Sequence, residues 1–218
     1  TFDVVLEGFR KGSFSEQDKG YRFERLMQAY LRTDPKYAYS LDKIWLWKDF
    51  PARKDFGKGN DVGIDLVART VTGEFWAIQC KCYREESSIA KASVDSFLAT
   101  SSRRFSFEGV GEQISFSQRL WISTTNNWTS TAEEAIRNQE PPVTRLNLSE
   151  LQKAPVDWGK IEQGFFGEES RTAKKILHAH QVEALEKTHE YLKVHDRGKL
   201  IMACGTGKTL TSLRIAER

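Results

Sequence analysis

The sequence has 218 residues, of which 39% are hydrophobic and 29% charged, a balance typical of folded globular domains. No apolar run approaches the roughly 18 residues that a membrane-spanning helix needs, so no membrane partner is expected. Three cysteines are too few for a disulfide framework, which favours the reducing cytoplasm. The net charge of +3 permits nucleic-acid binding without arguing for it. The chain lacks a signal peptide, and because it starts at Thr1 we expect it to be part of a longer one.

The first half of the chain predicts a helix, a strand and a hairpin. Apolar residues at helical spacing predict a helix in the segment 15–34. KIWLWKDF, residues 43–50, has strand character, and the Gly-rich charged stretch 52–63 is typical of a loop. Residues 64–71 and 74–83 then alternate between apolar and polar on either side of Thr72 and Gly73, which predicts an antiparallel hairpin.

The segments after the hairpin alternate between helix and strand. Helices are predicted over 87–102, capped by Ser87 or Ser88, and over 130–138, with a strand over 117–127. A short strand and a capped helical turn are predicted over 143–153. The pattern predicts an α/β domain, residues 1–155, in which helices flank a mixed β-sheet.

The remaining chain predicts a linker and the start of a second domain. Residues 156–170 break the alternation and are predicted to be a linker. Within 171–218, we predict a long helical segment over 171–196, a short buried strand over 198–204, and a Gly-rich loop that leads into a final helix over 205–218.

Three polar residues in the predicted hairpin raise a question of function. Gln79 and Lys81 share one strand face, and Asp65 is expected opposite residues 79–81. A carboxylate can hold a divalent cation, and the Gln79 amide and the Cys80 backbone carbonyl are further oxygen ligands that Mg²⁺ accepts. Lys81 can orient a water and help it to lose its proton. Such a set fits hydrolysis of a phosphodiester bond.

The same residues also have plainer interpretations. Asp65 can cap a turn, Gln79 and Lys81 can mark the hydrated face of an edge strand, and Glu24 can extend to water from the edge of its helix. If the site exists, Glu24 is a fourth candidate member. Asp61 ranks below Asp65 because it lies in the predicted loop. We expect no metal role for the cysteine thiols.

The stretches GNDVGIDLVA and WAIQCKCY resemble the signature of the Mrr-like branch of nucleases with the restriction-endonuclease fold. This resemblance covers roughly residues 15–150. It implies that Asp65 and Gln79 bind metal, that Lys81 supports the attacking water and that Glu24 assists. Gln79 departs from the wider superfamily, where Glu or Asp is usual, so weaker metal binding is expected.

MACGTGKT near the end has the pattern of a phosphate-binding loop, in which backbone N–H groups and a helix N-terminus face phosphate. Lys208 would reach the phosphates and Thr209 would ligate Mg²⁺; the nucleotide-binding residues are completed by Gly205, Thr206 and Gly207. Met202 stands where the strict pattern has its first glycine. The variant resembles superfamily 2 helicases, with Cys204 in place of a usual threonine, and the resemblance implies that Gln181 reads adenine.

A nuclease ahead of a helicase motor resembles the type ISP single-chain restriction-modification enzymes. That resemblance implies Mg²⁺ (or Mn²⁺) as cofactor, ATP for the full-length motor, and double-stranded DNA as substrate. It also implies a helicase core, a methyltransferase and a target-recognition part elsewhere in the polypeptide. Residues 171–218 hold only the start of a RecA-like domain, so ATPase activity is not expected from them alone.

Basic residues near the supposed site are candidates for DNA contact, although each could equally serve solubility. They are Lys58, Arg84, Arg103 and Arg104, with Arg53, Lys54 and Lys91 nearby. No predicted element reads bases. Two other functions stay open: a catalytically silent DNA clamp that feeds a helicase, and a nuclease-helicase of DNA repair or phage defence outside restriction.

Overall fold

The computed structural model describes residues 1–57, 63–107, 113–172, 176–203 and 205–217. The chain divides into two compact units, Thr1–Thr172 and Ala173–Arg218. In the described parts of both units, no helix is long and apolar enough to cross a membrane.

The first unit is a mixed α/β structure. Its helices are α1 (Phe2–Gly12), α2 (Glu16–Thr33), α3 (Pro35–Ala38), α4 (Lys91–Ser101), α5 (Ser130–Ile136), α6 (Leu148–Lys153) and α7 (Trp158–Glu162). Its strands are β1 (Leu41–Leu46), β2 (Leu66–Thr70), β3 (Phe75–Lys81), β4 (Ser88–Ile89), β5 (Phe116–Ser123), β6 (Asn127–Trp128) and β7 (Val143–Leu146). Short 3₁₀ turns occupy Trp47–Asp49, Pro51–Phe56 and Glu168–Ser170.

The main sheet has the strand order β1-β2-β3-β5-β7. The β1–β2 and β2–β3 pairs are antiparallel, and the β3–β5 and β5–β7 pairs are parallel. The predicted hairpin and mixed sheet are therefore confirmed. Because β2 runs opposite to its neighbours, its first residue and the last residues of β3, β5 and β7 lie at one edge of the sheet.

Helices cover both faces of this sheet, because each face is apolar. One core packs α1, α2, α6 and α7 against residues such as Leu66, Ile78 and Leu120. The other packs α4, α5 and an aromatic cluster that includes Trp45, Phe75 and Trp121. The predicted α/β architecture, a mixed sheet flanked by helices, is present.

Helix α2 begins where the sequence predicted it. The Ser15 hydroxyl accepts a hydrogen bond from the Asp18 N–H at 3.1 Å, which satisfies one of the free N–H groups of the first turn. The predicted apolar stripe is the buried one, from Phe23 to Leu31. Helix α1 precedes it and was not predicted, although it buries Phe2, Val5, Leu6 and Phe9.

Two predictions for the first unit were wrong in detail. Residues 88–89 form β4, which pairs in parallel with β6, so the following helix starts at Lys91 after the N-cap Ala90 rather than at Ser87 or Ser88. Residues 156–170 are not a linker. They include α7, which buries Trp158 and Ile161 in the first core, because its two apolar side chains fit against α1 and α2.

The second unit contains α8 (Ala179–Leu192) and α9 (Lys208–Ala216). The buried strand that was predicted over 198–204 is wrong for the described residues 198–203, which form no strand. Leu200 and Ile201 are 44% and 79% exposed. A strand needs a neighbour for its backbone hydrogen bonds, and the described residues of this unit provide none.

Candidate active site

Asp65 lies immediately before β2, opposite the end of β3. Its backbone N–H donates to the Ile78 carbonyl at 2.9 Å, and its carbonyl accepts from the Trp47 N–H at 2.7 Å. These two bonds continue the ladders on both sides, since Leu66 pairs with Ile78 and with Leu46. The carboxylate is therefore placed by the sheet itself, at the edge where β3 ends.

Gln79 contacts the Asp65 carboxylate, as the sequence predicted. Its side-chain amide donates to Asp65 Oδ2, and the whole residue is buried. The amide oxygen Oε1 of Gln79 is buried and has no hydrogen-bond partner among the described residues. A carboxylate must face the N–H side of an amide when no cation lies between them, which explains why the oxygen is turned away.

The backbone of Cys80 completes the contact with Asp65. Its N–H donates to Asp65 Oδ2 at 2.7 Å. Alternate residues of a strand direct their backbone groups to the same side, so the Cys80 carbonyl also points toward the β2 side, beyond the first residue of β2. Of the two further oxygens, the Cys80 carbonyl thus faces the Asp65 side of β3, whereas the Gln79 amide oxygen is turned away from the carboxylate.

Lys81 lies two residues after Gln79 and shares its strand face. Its carbonyl accepts from the Thr124 N–H at 3.1 Å, which fixes the end of β3 against β5. The Lys81 residue is half-buried. The geometry therefore places one carboxylate, one amide and one ammonium at the same sheet edge.

Glu24 approaches this edge from α2, on the face where the Cys80 side chain is buried. Burial raises the pKa of the Cys80 thiol well above its usual range, and the charges of Asp65 and Glu24 raise it further, while Lys81 lowers it. All three charges therefore lie close enough to act on the Cys80 sulfur. Among the described residues, no group of three or more His, Cys, Asp or Glu side chains could hold a metal, so any cation here needs amide and backbone oxygens.

The predicted DNA-contacting residues are placed differently from one another. Arg103 donates to the Phe56 carbonyl at 3.0 Å and so holds the 3₁₀ segment Pro51–Phe56. Arg84 and Arg104 are exposed. Lys91 pairs with Asp95 at 2.5 Å. The predicted Lys58, like Asp61, lies outside the described residues.

The Gly-rich loop leads into α9, as predicted. Gly205 and Gly207 have φ values of +79° and +78°, which a glycine adopts without strain. Lys208 Nζ faces the loop carbonyls of Ala203 at 3.2 Å and Met202 at 3.4 Å, and Thr209 follows on the helix. Cys204 is outside the described residues.

Gln181 is joined to this loop. Its amide nitrogen donates to the Thr206 carbonyl at 3.0 Å, and its Oε1 accepts from the His178 N–H at 2.9 Å. Both ends of the side chain are engaged, and Gln181 is buried. The first turn of α8 and the loop are therefore positioned by one side chain.

A basic cluster near the candidate site was not predicted. Lys48 Nζ donates to the Tyr21 hydroxyl at 2.7 Å, and the Arg25 guanidinium carbon lies 5.8 Å from the centroid of the same ring. The only sequence signal was the i, i+4 spacing of Tyr21 and Arg25 around Glu24. Nothing in the local sequence linked Lys48 to them, because β1 and α2 meet only in the fold.

Comparison with protein-family models gives two matches. A restriction endonuclease model matches residues 32–166, and the model of the type III restriction enzyme res subunit matches residues 174–218. No curated protein matches the chain.

Among solved structures, the chain is similar to the ATP-dependent Type ISP restriction-modification enzyme LlaBIII bound to DNA, with 34% identity and a TM-score of 0.66. The match covers 89% of this chain and 12% of that one. The MspJI restriction endonuclease in complex with a 27-mer oligonucleotide matches at 19% identity and a TM-score of 0.39, over 68% of this chain and 29% of that one. Because the restriction endonuclease model spans most of its length, the chain belongs to the restriction endonuclease family. Its residues 174–218 are the start of a helicase-like segment.

Proposed function

We propose that residues 1–172 are a metal-dependent DNA endonuclease domain. The observation that carries the proposal is the contact of the buried Gln79 side chain and the Cys80 N–H with Asp65, with Lys81 on the same face. Membership of the restriction endonuclease family supports this chemistry. The similarity to LlaBIII, a structure bound to DNA, supports duplex DNA as the substrate.

The residues at this edge fit a hard divalent cation such as Mg²⁺, with Mn²⁺ as a substitute. Asp65 supplies a carboxylate, and the Cys80 carbonyl supplies a neutral oxygen. The Oε1 of Gln79 is buried without a partner and becomes a ligand if the amide turns over, and oxygen ligands are those that Mg²⁺ prefers. When bound, the cation stabilises negative charge on the phosphate and lowers the pKa of water.

In this proposal Lys81 acts on the water and the phosphate, and Glu24 acts on the cation. The Lys81 ammonium orients the attacking water and stabilises charge on the phosphate oxygens. Glu24 contributes negative charge from α2, close enough to affect Cys80, and so helps to hold the cation. In this proposal Asp65 is the carboxylate that carries most of the metal binding.

We further propose that residues 173–218 begin an ATP-dependent DNA motor. Gly205, Thr206, Gly207, Lys208 and Thr209 would hold the nucleotide phosphates. Gln181 would read the adenine edge, which requires its side chain to exchange its present bond to the Thr206 carbonyl. The chain spans 12% of the length of the LlaBIII chain. We therefore also propose that it is part of a longer cytoplasmic polypeptide of the type ISP restriction kind. That polypeptide would carry the helicase core, a methyltransferase and a target-recognition part.

Nicking of supercoiled plasmid by the intact enzyme, with Mg²⁺ and ATP, tests the nuclease. Asp65→Ala and Lys81→Ala are each expected to lower the nicking rate by about 10²- to 10⁴-fold, the range for removing a group that acts on the reacting atoms. Asp42→Ala and Lys43→Ala are matched controls, because both residues are exposed on β1, and they should nick as the parent does. Equal rates for all four variants would favour the silent DNA clamp.

A further inference from the structure

The Tyr21 side chain is contacted by two cations. Lys48 Nζ donates to the Tyr21 hydroxyl oxygen at 2.7 Å and sits 4.6 Å from the ring centroid. Arg25 Nη1 is 3.4 Å from the same oxygen, and its Cζ is 5.8 Å from the ring centroid. Lys48 and Arg25 are exposed and Tyr21 is half-buried.

In the described part of the chain, neither cation forms an ion pair with a carboxylate. The other basic residues of α2 are engaged: Lys19 pairs with Glu16 at 2.6 Å, Arg22 with Asp18 at 3.0 Å, and Arg32 donates to the Ile44 carbonyl at 2.9 Å. Lys48 and Arg25 both hydrogen-bond to the Tyr21 hydroxyl, and this neutral group does not offset the repulsion between their positive charges. An anion bound at this surface would offset that repulsion.

The electrostatics of the cluster agree with this geometry. Hydrogen bonds from Lys48 and then Arg25 lower the pKa of the Tyr21 phenol. The Tyr21 hydroxyl raises the pKa of Lys48, with Asp49 a smaller contributor, while Arg25 lowers it. The hydroxyl oxygen is already an acceptor, so its own hydrogen remains to be donated outward.

The cluster adjoins the candidate active site through both of its elements. Lys48 follows Trp47, whose N–H donates to the Asp65 carbonyl, and consecutive Cα atoms are about 3.8 Å apart. Tyr21 lies one turn before Glu24 on α2, a spacing that puts the Cβ atoms about 5–6 Å apart. The backbone that carries Lys48 thus lies beside Asp65, and Tyr21 lies beside Glu24 on its helix.

We propose that Lys48, Tyr21 and Arg25 together bind one phosphodiester group of DNA, next to the group held at Asp65. This inference rests on the proposed nuclease function. The ammonium and the guanidinium supply charge-assisted hydrogen bonds, and the phenol donates a third. Such a contact positions the strand without reading its bases.

Binding of a labelled DNA duplex to the intact chain, measured by fluorescence anisotropy in EDTA over a range of salt concentrations, tests the inference without any cleavage. Each lost cation–phosphate contact makes the slope of log K against log[salt] less steep by about 0.9, which corresponds to about fivefold weaker binding at 0.15 M salt. Lys48→Ala and Arg25→Ala should each show both changes. Tyr21→Phe removes only a neutral donor, so affinity should fall while the slope stays the same.

Lys36→Ala is the matched control, because Lys36 is also an exposed lysine 5.2 Å from a tyrosine ring. Lys36 lies near the other end of β1. The DNA affinity and the salt slope of Lys36→Ala should therefore equal those of the parent. If Lys48→Ala and Arg25→Ala also keep the parental affinity and slope, the inference is overturned. The proposed nuclease would be unaffected by that result, because its test is the dependence of plasmid nicking on Asp65 and Lys81.

Discussion

Gln79 places a neutral side chain at the buried end of β3. As an amide it donates to the Asp65 carboxylate, so the two side chains hold each other in place when no cation is bound. A carboxylate in this position would bind a cation more tightly but would repel Asp65 in its absence. In the proposed site, an amide at position 79 therefore binds metal more weakly than a carboxylate would, but it keeps the side chains in place before the metal binds.

Gln79→Glu should separate these two effects. Without metal, a buried carboxylate at position 79 faces the half-buried Asp65 carboxylate, and the unfolding free energy should fall by about 1–3 kcal/mol, or by about 2–4 °C in Tm for each kcal/mol. With Mn²⁺ added, the rise in Tm should exceed that of the parent. Thermal unfolding in EDTA and in Mn²⁺ measures both quantities.

Gln118→Glu, half-buried on β5, is the control for Gln79→Glu and should show no metal-dependent gain. An unchanged Tm in EDTA together with a parental response to Mn²⁺ would contradict a metal role for position 79.

Tyr30 makes the stability of the first unit sensitive to high pH. Its hydroxyl donates to Asp34 Oδ2 at 2.8 Å; burial, followed by the Asp34 charge, raises the pKa of Tyr30 far above its usual value. Because the pKa is higher in the folded state, this stabilisation is fully present below about pH 10, the unfolded value, and is lost as the pH rises above it.

Tyr30→Phe should therefore reduce the loss of unfolding free energy between about pH 8 and pH 11, measured by urea denaturation. Some loss should remain, because burial also raises the pKa of Tyr37. Tyr191→Phe, which is 47% exposed in the parent, should leave the pH dependence unchanged. A parental pH dependence in Tyr30→Phe would show that this phenol is not the cause.

The β2–β3 hairpin is the element that creates the site. Its alternation and its turn at Thr72 and Gly73 were readable in the sequence, and they fix the register that sets Asp65 against Gln79. The entry to β2 depends on a distant element, however. Gly63 has φ +77°, and a Cβ there would lie 2.9 Å from backbone atoms of Ser96 and Phe97, so only glycine fits against α4.

Short elements were predicted less well than the hairpin. β4 and β6 each contain two residues, too few for a periodic pattern, and they exist because they pair with each other. Helix α7 carries Gly159 within a polar, Gly-rich stretch and therefore has the composition of a linker. Its helix is held by tertiary contacts, with the Trp158 ring 4.7 Å from Phe2 and 5.1 Å from Tyr30.

For the whole molecule, the boundary between the units follows from α7. A chain that ends at Thr172 should unfold at the temperature of the first unit in the intact chain, because that unit keeps its core. A chain that ends at Pro155 loses the burial of Trp158 and Ile161 and should be destabilised by at least about 3–5 kcal/mol, the usual cost of deleting a buried aromatic side chain. Calorimetry of both truncated chains checks this.

Equal unfolding temperatures for the two truncated chains would show that residues 156–170 are a linker after all. A 1–172 chain that fails to fold would show instead that the first unit depends on the second.

Local order in the sequence determined the hairpin, the amphipathic α2, the contact of Asp65 with Gln79, and the glycine-rich loop before α9. Each of these depends on contacts between residues close in the chain, or on a residue type that few other roles explain. The tertiary structure alone decided that α7 belongs to the first unit and that Lys48 meets Tyr21 and Arg25, because these contacts join segments whose separate patterns carry no sign of one another.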